Sequence, residues 1–217
     1  MYATYIFPRL MDWILRGERF QHERQRLLTP AEGVVLEIGF GTGLNLPHYP
    51  RTVTALHAVD SSSMLPDRMA SRTAQAPFPV HIQHLSAERL PYDNAMFDYV
   101  VSTFTLCTIP EPILALREVR RVMKPEGHFL FLEHGRSDVS KIAGWQDRLN
   151  PFQNWLGCGC NLNRRIDRLV RDSGLYLESM DRYVLPGVPR IGGEIYRGLA
   201  ARNEIGLPSK PAGWASS

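Results

Sequence analysis

Three glycines at alternate positions, Gly39, Gly41 and Gly43, follow Glu37 and Ile38 directly after the apolar run Val34-Val35-Leu36. Glycine reaches positive φ without steric cost, so such a run lets the backbone turn sharply and approach a ligand. At the carboxyl end of a first strand it would line the crevice where doubly wound sheets bind nucleotides. Glu37, two positions before the first glycine, narrows the choice of ligand. A carboxylate there suits a positive amino group and repels a pyrophosphate, and the glycine spacing departs from the G-x-G-x-x-G dinucleotide fingerprint. A purely structural turn is the competing reading of the glycines taken alone.

Other chemistry-bearing residues fall at matching places. Asp60 closes the run His57-Ala58-Val59, where an acid accepts hydrogen bonds from ribose hydroxyls; with Ser61 it could also cap a helix. Ser86-Ala87-Glu88-Arg89-Leu90-Pro91 follows a third apolar run, and Phe97-Asp98 opens a fourth. His134 stands behind Glu133 at the end of a fifth, where an imidazole could serve as base or orienter for a reacting group. A hydrogen-bonded structural histidine is the alternative there. Cys107, Cys158 and Cys160 with His134 invite a metal reading, but Cys-x-Cys is not a zinc-knuckle spacing and no second cysteine pair exists, so no metal is expected.

The elements that must hold these residues alternate as in a parallel sheet with crossover helices. Strands are expected over 34–38, 52–59, 80–84, around 99–101 and over 128–133, with helices over 62–74 and 112–123. The second helix is stopped by Lys124-Pro125-Glu126-Gly127. Ahead of the sheet, Ile6, Phe7, Leu10, Met11, Ile14 and Leu15 fall at helical spacing, with Arg9, Asp12, Arg16 and Glu18 off the stripe. This predicts an amphipathic N-terminal helix, broken at Gly17 and resumed to Leu28. From 135 to 163 the composition turns loop-like, with Trp145, Phe152 and Trp155 as an apolar wall or a small satellite core. A helix over 164–172 and strands near 176–184 and 193–199 close the domain, and residues 208–217 read as a flexible tail.

The chain has 217 residues, 44% hydrophobic and 22% charged, which suits one globular α/β domain. Lys and Arg number 25 against 22 Asp and Glu, for a net charge of +3, and the basic residues are scattered. No phosphate-binding face follows from that pattern, which disfavours nucleic acid. Three cysteines make no disulfide framework, and there is neither a signal-peptide pattern nor an apolar run of membrane-spanning length. A cytoplasmic protein is the expectation.

Residues 33–134, with the segment Arg117 to Gly127 before the fifth strand, resemble the class I S-adenosylmethionine (SAM)-dependent methyltransferases. The resemblance implies a Rossmann-like seven-stranded sheet with its last strand antiparallel. It implies SAM as cofactor and S-adenosylhomocysteine as product, held by Glu37, Gly39, Gly41, Gly43, Asn45, Asp60, Ser61, Ala87, Glu88 and Thr103. It also implies a single domain over 1–217, with residues 1–30 as a helical lid across the crevice and 135–163 as a substrate-side insertion. Ser86 departs from the acid usual at that place in the family.

Thr105-Leu106-Cys107, Glu133-His134, Trp145-Gln146 and Gly159-Cys160-Asn161-Leu162-Asn163-Arg164 narrow the likeness. They resemble the methyltransferase-like thiol S-methyltransferases of animal membranes and their bacterial relatives, including phosphatidylethanolamine N-methyltransferases and quinone C-methyltransferases. A small, apolar acceptor follows, with thiol sulfur favoured, His134 as the catalytic candidate, and phospholipid or quinone methylation as alternatives. A SAM-binding sensor or partner subunit is the alternative outside enzymes. The animal proteins begin with a hydrophobic anchor, whereas this first helix is interrupted by charges, so only peripheral membrane contact is left open; no oligomeric state follows. After the fourth strand the chain reads Ser102-Thr103-Phe104-Thr105-Leu106, not the Asn/Asp-Pro-Pro-Tyr/Phe signature of enzymes that methylate exocyclic amines of nucleic acid or amide nitrogens.

Overall fold

A computed structural model describes residues 2–62 and 65–203. Seven strands form one sheet: β1 (Gly33–Ile38), β2 (Val53–Asp60), β3 (Val80–His84), β4 (Phe97–Thr103), β5 (Met123–His134), β6 (Tyr176–Val184) and β7 (Glu194–Ala201), in the order β3-β2-β1-β4-β5-β7-β6. The first five run parallel, and β7 is antiparallel to both β5 and β6. This is the expected doubly wound sheet with its last strand reversed. β1 and β4 are flanked on both sides, and Val35, Leu36, Ile38, Val100 and Val101 are fully buried, as a central parallel strand requires. The order reverses between β1 and β4, so their carboxyl ends open a crevice at the topological switch point.

Helices α3 (Pro66–Thr73), α4 (Pro112–Val122) and α6 (Ile166–Asp172) accompany the strands, and a single turn, α7 (Arg190–Gly193), leads into β7. One face of the sheet packs Leu116, Val119 and Val122 of α4 and Ile166 and Val170 of α6 against Phe97, Phe129 and Phe131. The other face packs Leu27 and Leu28 of α2 (Glu18–Leu28) against Val35, Val101, Leu130 and Leu199. Burying a large apolar side chain contributes about 1.5–3 kcal/mol, so these two layers hold the strand ends in place.

Two expectations fail. Residues 135–163 are not loop-like: α5 (Ser140–Leu156) is a 17-residue helix that tolerates Pro151 within it. Its anchor is polar, which is why apolar periodicity did not announce it. Buried Gln146 accepts a hydrogen bond from the Ser137 backbone N–H (2.8 Å) and donates to the carbonyls of Gly135 and Ile191 (3.0 Å each). The second failure concerns α1 (Phe7–Leu15), which is a helix but docks by its polar side. Asp12 is buried against Arg68 and Arg72 of α3, while Ile6, Leu10, Trp13 and Ile14 of the expected packing face and its margin are exposed. A buried carboxylate with two guanidiniums satisfies its desolvation only in that orientation.

Candidate active site

The glycine turn lies where β1 enters the crevice, with Gly39, Gly41 and Gly43 all at positive φ (73°, 57° and 80°). A Cβ on Gly39 would lie 2.0 Å from the Thr105 hydroxyl oxygen, so the first glycine is required by close approach as well as by φ. Asp60, at the end of β2, holds this turn: its Oδ2 accepts from the Gly41 N–H (2.7 Å), and Oδ1 accepts from the Ser62 N–H (2.8 Å) and hydroxyl (3.0 Å). Asp60 is therefore a turn anchor and not the helix cap that it and Ser61 could have formed, since α3 begins only at Pro66 without a side-chain cap. Thr42, inside the turn, donates to Asp12 (2.6 Å) and accepts from Arg72, tying α1 to the turn.

Glu37 is fully buried. It accepts from Tyr49 Oη (2.7 Å) and from Asn45 Nδ2 (3.0 Å), and Asn45 also donates to Thr103 Oγ1 (3.1 Å). Burial raises its carboxyl to about 7, against the pull of Tyr49, Arg24 and Asn45. Arg24, which the sequence reading did not single out, belongs to the same cluster. It projects from α2 at 2% exposure, its guanidinium 5.5 Å from the Phe104 ring centre, and burial lowers it to about 10. Among the described residues its Nε and Nη1 have no hydrogen-bond partner, nor has Asn45 Oδ1. A buried unpaired donor costs about 1–3 kcal/mol, more when charged. Two orphan cationic donors beside an orphan acceptor and a carboxyl could hold a group with its own carboxylate and ammonium.

In the loop after β3, where Ala87 and Glu88 are both expected to hold the cofactor, Ala87 is buried and Glu88 is held in place. Its Oε2 accepts from Ser86 Oγ (2.9 Å) and its Oε1 from the Glu111 N–H (2.8 Å). Ser86 thus fixes the loop where the usual acid would stand.

His134 lies at the end of β5, on the same rim. Its Nε2 is 3.1 Å from Cys160 Sγ, and Cys107, in the loop after β4, completes a group whose sulfur and nitrogen atoms all lie within 4.8 Å of one another. The Cys107 hydrogen bond pulls the Cys160 thiol down to about 4 against burial, with help from His134. Burial works against charge on His134, yet Cys160 and Glu133 leave its pKa raised. The sequence reading named these residues with Cys158 and set the group aside on its Cys-x-Cys spacing, whereas the partner of Cys160 is Cys107 and Cys158 is exposed. Glu133, fully buried, shapes the rim by accepting from Ser102 Oγ (2.7 Å) and the Thr105 N–H (2.9 Å).

Residues 36–131 match the methyltransferase domain family. The phosphatidylethanolamine N-methyltransferase of Cereibacter sphaeroides is 32% identical over 145 residues, covering 66% of this chain and 70% of that protein. The thiol S-methyltransferase TMT1B of Rattus norvegicus is 31% identical over 159 residues, 69% of this chain and 62% of that one. The chain therefore spans about two thirds of the length of these relatives. The solved structure of a geranyl diphosphate methyltransferase in complex with SAM superposes with a TM-score of 0.66 at 14% identity, covering 90% of each chain, which shows the shared fold. Glycine turn, buried acid and family converge: the chain belongs to the class I SAM-dependent methyltransferases, and it is an enzyme with SAM as its cofactor.

Proposed function

We propose that the methyl acceptor is a small, apolar thiol. The carrying observation is the rim beyond β5, where the His134 imidazole already holds a sulfur at 3.1 Å beside the loop that packs on Gly39. When bound, SAM supplies an electrophilic methyl group, so the protein's main task is alignment of the acceptor's lone pair. Arg24 donates to the cofactor's carboxylate, and Asn45 Oδ1 with Glu37 receives its ammonium. Asp60 and Ser61 serve the ribose, Ala87 and Glu88 the adenine, and Thr103 steadies Asn45. His134 fixes the acceptor sulfur in line with the methyl group. Three unpaired thiols agree with a reducing, cytoplasmic setting.

One observation favours a lipid acceptor as second reading. Among the described residues no helix is long and apolar enough to cross a membrane, but Tyr2 Oη, ahead of α1, donates to the Leu156 carbonyl at the end of α5 (3.1 Å), and both helices expose aromatic side chains. Trp13 is 66% and Trp155 75% exposed, the kind of face that lies at a lipid interface. Labelled SAM offered with small thiols, phosphatidylethanolamine vesicles and quinone precursors decides between the readings. Label in thiols, independent of vesicles, is expected; label in the head-group amine or the quinone ring alone would overturn the thiol assignment.

A further inference from the structure

We propose that Cys107, His134 and Cys160 form a zinc site whose fourth position receives the acceptor thiol, an inference that rests on the thiol reading above. The donors are two sulfurs and one imidazole nitrogen with no carboxylate, a set suited to Zn²⁺ and to no hard cation. Two thiolates and a neutral imidazole balance the ion's charge. Tetrahedral zinc with Zn–S near 2.3 Å and Zn–N near 2.0 Å places its ligand atoms roughly 3.5–3.8 Å apart. His134 and Cys160 stand at 3.1 Å and all three within 4.8 Å, so side-chain adjustment closes the site without moving a strand.

The scaffold is built for that closeness. Asn161 ties the two cysteine loops together, its N–H and Nδ2 both donating to the Cys107 carbonyl (3.0 and 2.9 Å). Asn154 Nδ2 donates to the Gly159 carbonyl (3.0 Å) and to Asn161 Oδ1 (3.2 Å). Arg164 donates to the carbonyls of Leu106 and Ile109 on either side of Cys107. Both loops carry a non-glycine residue in the left-handed region, Phe104 (φ 54°) and Cys158 (φ 50°), conformations that persist only where surroundings enforce them. Three protein ligands leave one position open, the pattern of a catalytic site and not of a closed structural one. Cys107 lies two residues beyond Thr105, whose hydroxyl packs on the glycine turn, so the site adjoins the cofactor crevice. Coordination would release the acceptor's proton to solvent. Its sulfur lone pair then forms the new carbon–sulfur bond as the methyl–sulfonium bond breaks and that pair returns to the cofactor sulfur. His134 acts on the acceptor through the ion.

The test uses the full chain, reduced and stripped of metal, titrated with Zn²⁺ alone in competition with a chromophoric chelator. One ion per chain is expected, and Co²⁺ in its place should show a sulfur-to-metal charge-transfer band and a tetrahedral spectrum. Cys107→Ser, Cys160→Ser and His134→Ala should each weaken binding by about a hundredfold or more, and Cys158→Ser should leave it unchanged. His134→Cys keeps a ligand and should retain the ion, which separates loss of the site from loss of the fold. Equal weakening by Cys158→Ser, failure of the reduced wild-type chain to take up zinc, or loss of two thiols as a Cys107–Cys160 disulfide in its place would overturn the site. Undiminished thiol methylation by the metal-free chain would overturn the ion's role. Zinc binding with methylation confined to an amine or a ring carbon would instead overturn the thiol reading and leave the metal site standing.

Discussion

The two sides of the crevice are made differently. On the donor side, Glu37, the glycines and Asn45 come from one stretch of chain, and Asp60 at the end of the neighbouring strand bonds that same turn. On the acceptor side, Cys107, His134 and Cys160 come from three separate segments and meet only because β4, β5 and the loop after α5 converge. The centre of a site for a fixed cofactor can be written into a single turn, with neighbouring strand ends completing it. A site for a variable acceptor is assembled from loops that can change without disturbing that turn.

Breaking the donor side should have the largest effect. Gly39→Ala puts a methyl group onto Thr105 at a φ that side chains avoid. Strain and overpacking of about 3 kcal/mol or more together correspond to over a hundredfold in cofactor dissociation constant. Calorimetry reads this directly, and an unchanged affinity would remove the glycine turn from the cofactor site.

Breaking the acceptor side should affect turnover alone. His134→Ala is expected to lower kcat about a hundredfold through loss of alignment, with SAM affinity within about twofold of wild type. A fall in affinity as large as the fall in kcat would erase the division between the two sides.

Arg24→Met sharpens the comparison, because it should move two quantities in opposite directions. Removing a charge-assisted contact worth about 1.5–3 kcal/mol should weaken SAM binding about tenfold or more. The unliganded protein, relieved of a buried guanidinium with two orphan donors, should melt higher. A lower melting temperature with unchanged affinity would make Arg24 a structural residue only.

The smallest effect is in pH. The Glu37 carboxyl, ordinarily at 4.5, stands at about 7 in the folded chain. Between those values the folded state holds the extra proton, so this group's contribution to the stability of the unliganded protein is full below 4.5 and is lost as pH rises through 7. Cofactor affinity should run the other way, rising several-fold from pH 6 to 8 as the carboxylate forms opposite the ammonium. Glu37→Gln should flatten both profiles, and a retained slope would assign them to another group.

Much of the donor side was legible because its information is local: Val34 to Gly43 states strand, acid and turn in ten consecutive positions. The strand order and the reversed β7 followed from family likeness, not from any one segment. Arg24 was not legible, since a lone arginine on a charged helix looks like solvated surface until packing buries it. Asp12 was misread for the same reason. Hydrophobic periodicity assigns the apolar stripe inward, and here the partner offered by α3 is a pair of guanidiniums. Gln146 hid α5 by holding it with hydrogen bonds that leave no apolar signature.

The grip of Asp12 on Thr42, Arg68 and Arg72 has a consequence for how this protein can vary. Asp12 ion-pairs with both arginines, and Thr42, which belongs to the glycine turn, is bonded by Asp12 and Arg72 at once. Substitutions at these four positions cannot act independently. Changing Asp12 alone strands two cations, and changing Arg72 as well removes part of that penalty, so the double variant should fall short of the sum of its parts by about 0.5–3 kcal/mol. Among sequences that keep this arrangement, positions 12, 42, 68 and 72 should therefore drift as one set, and a library that randomises them singly would find only losses where paired replacements succeed.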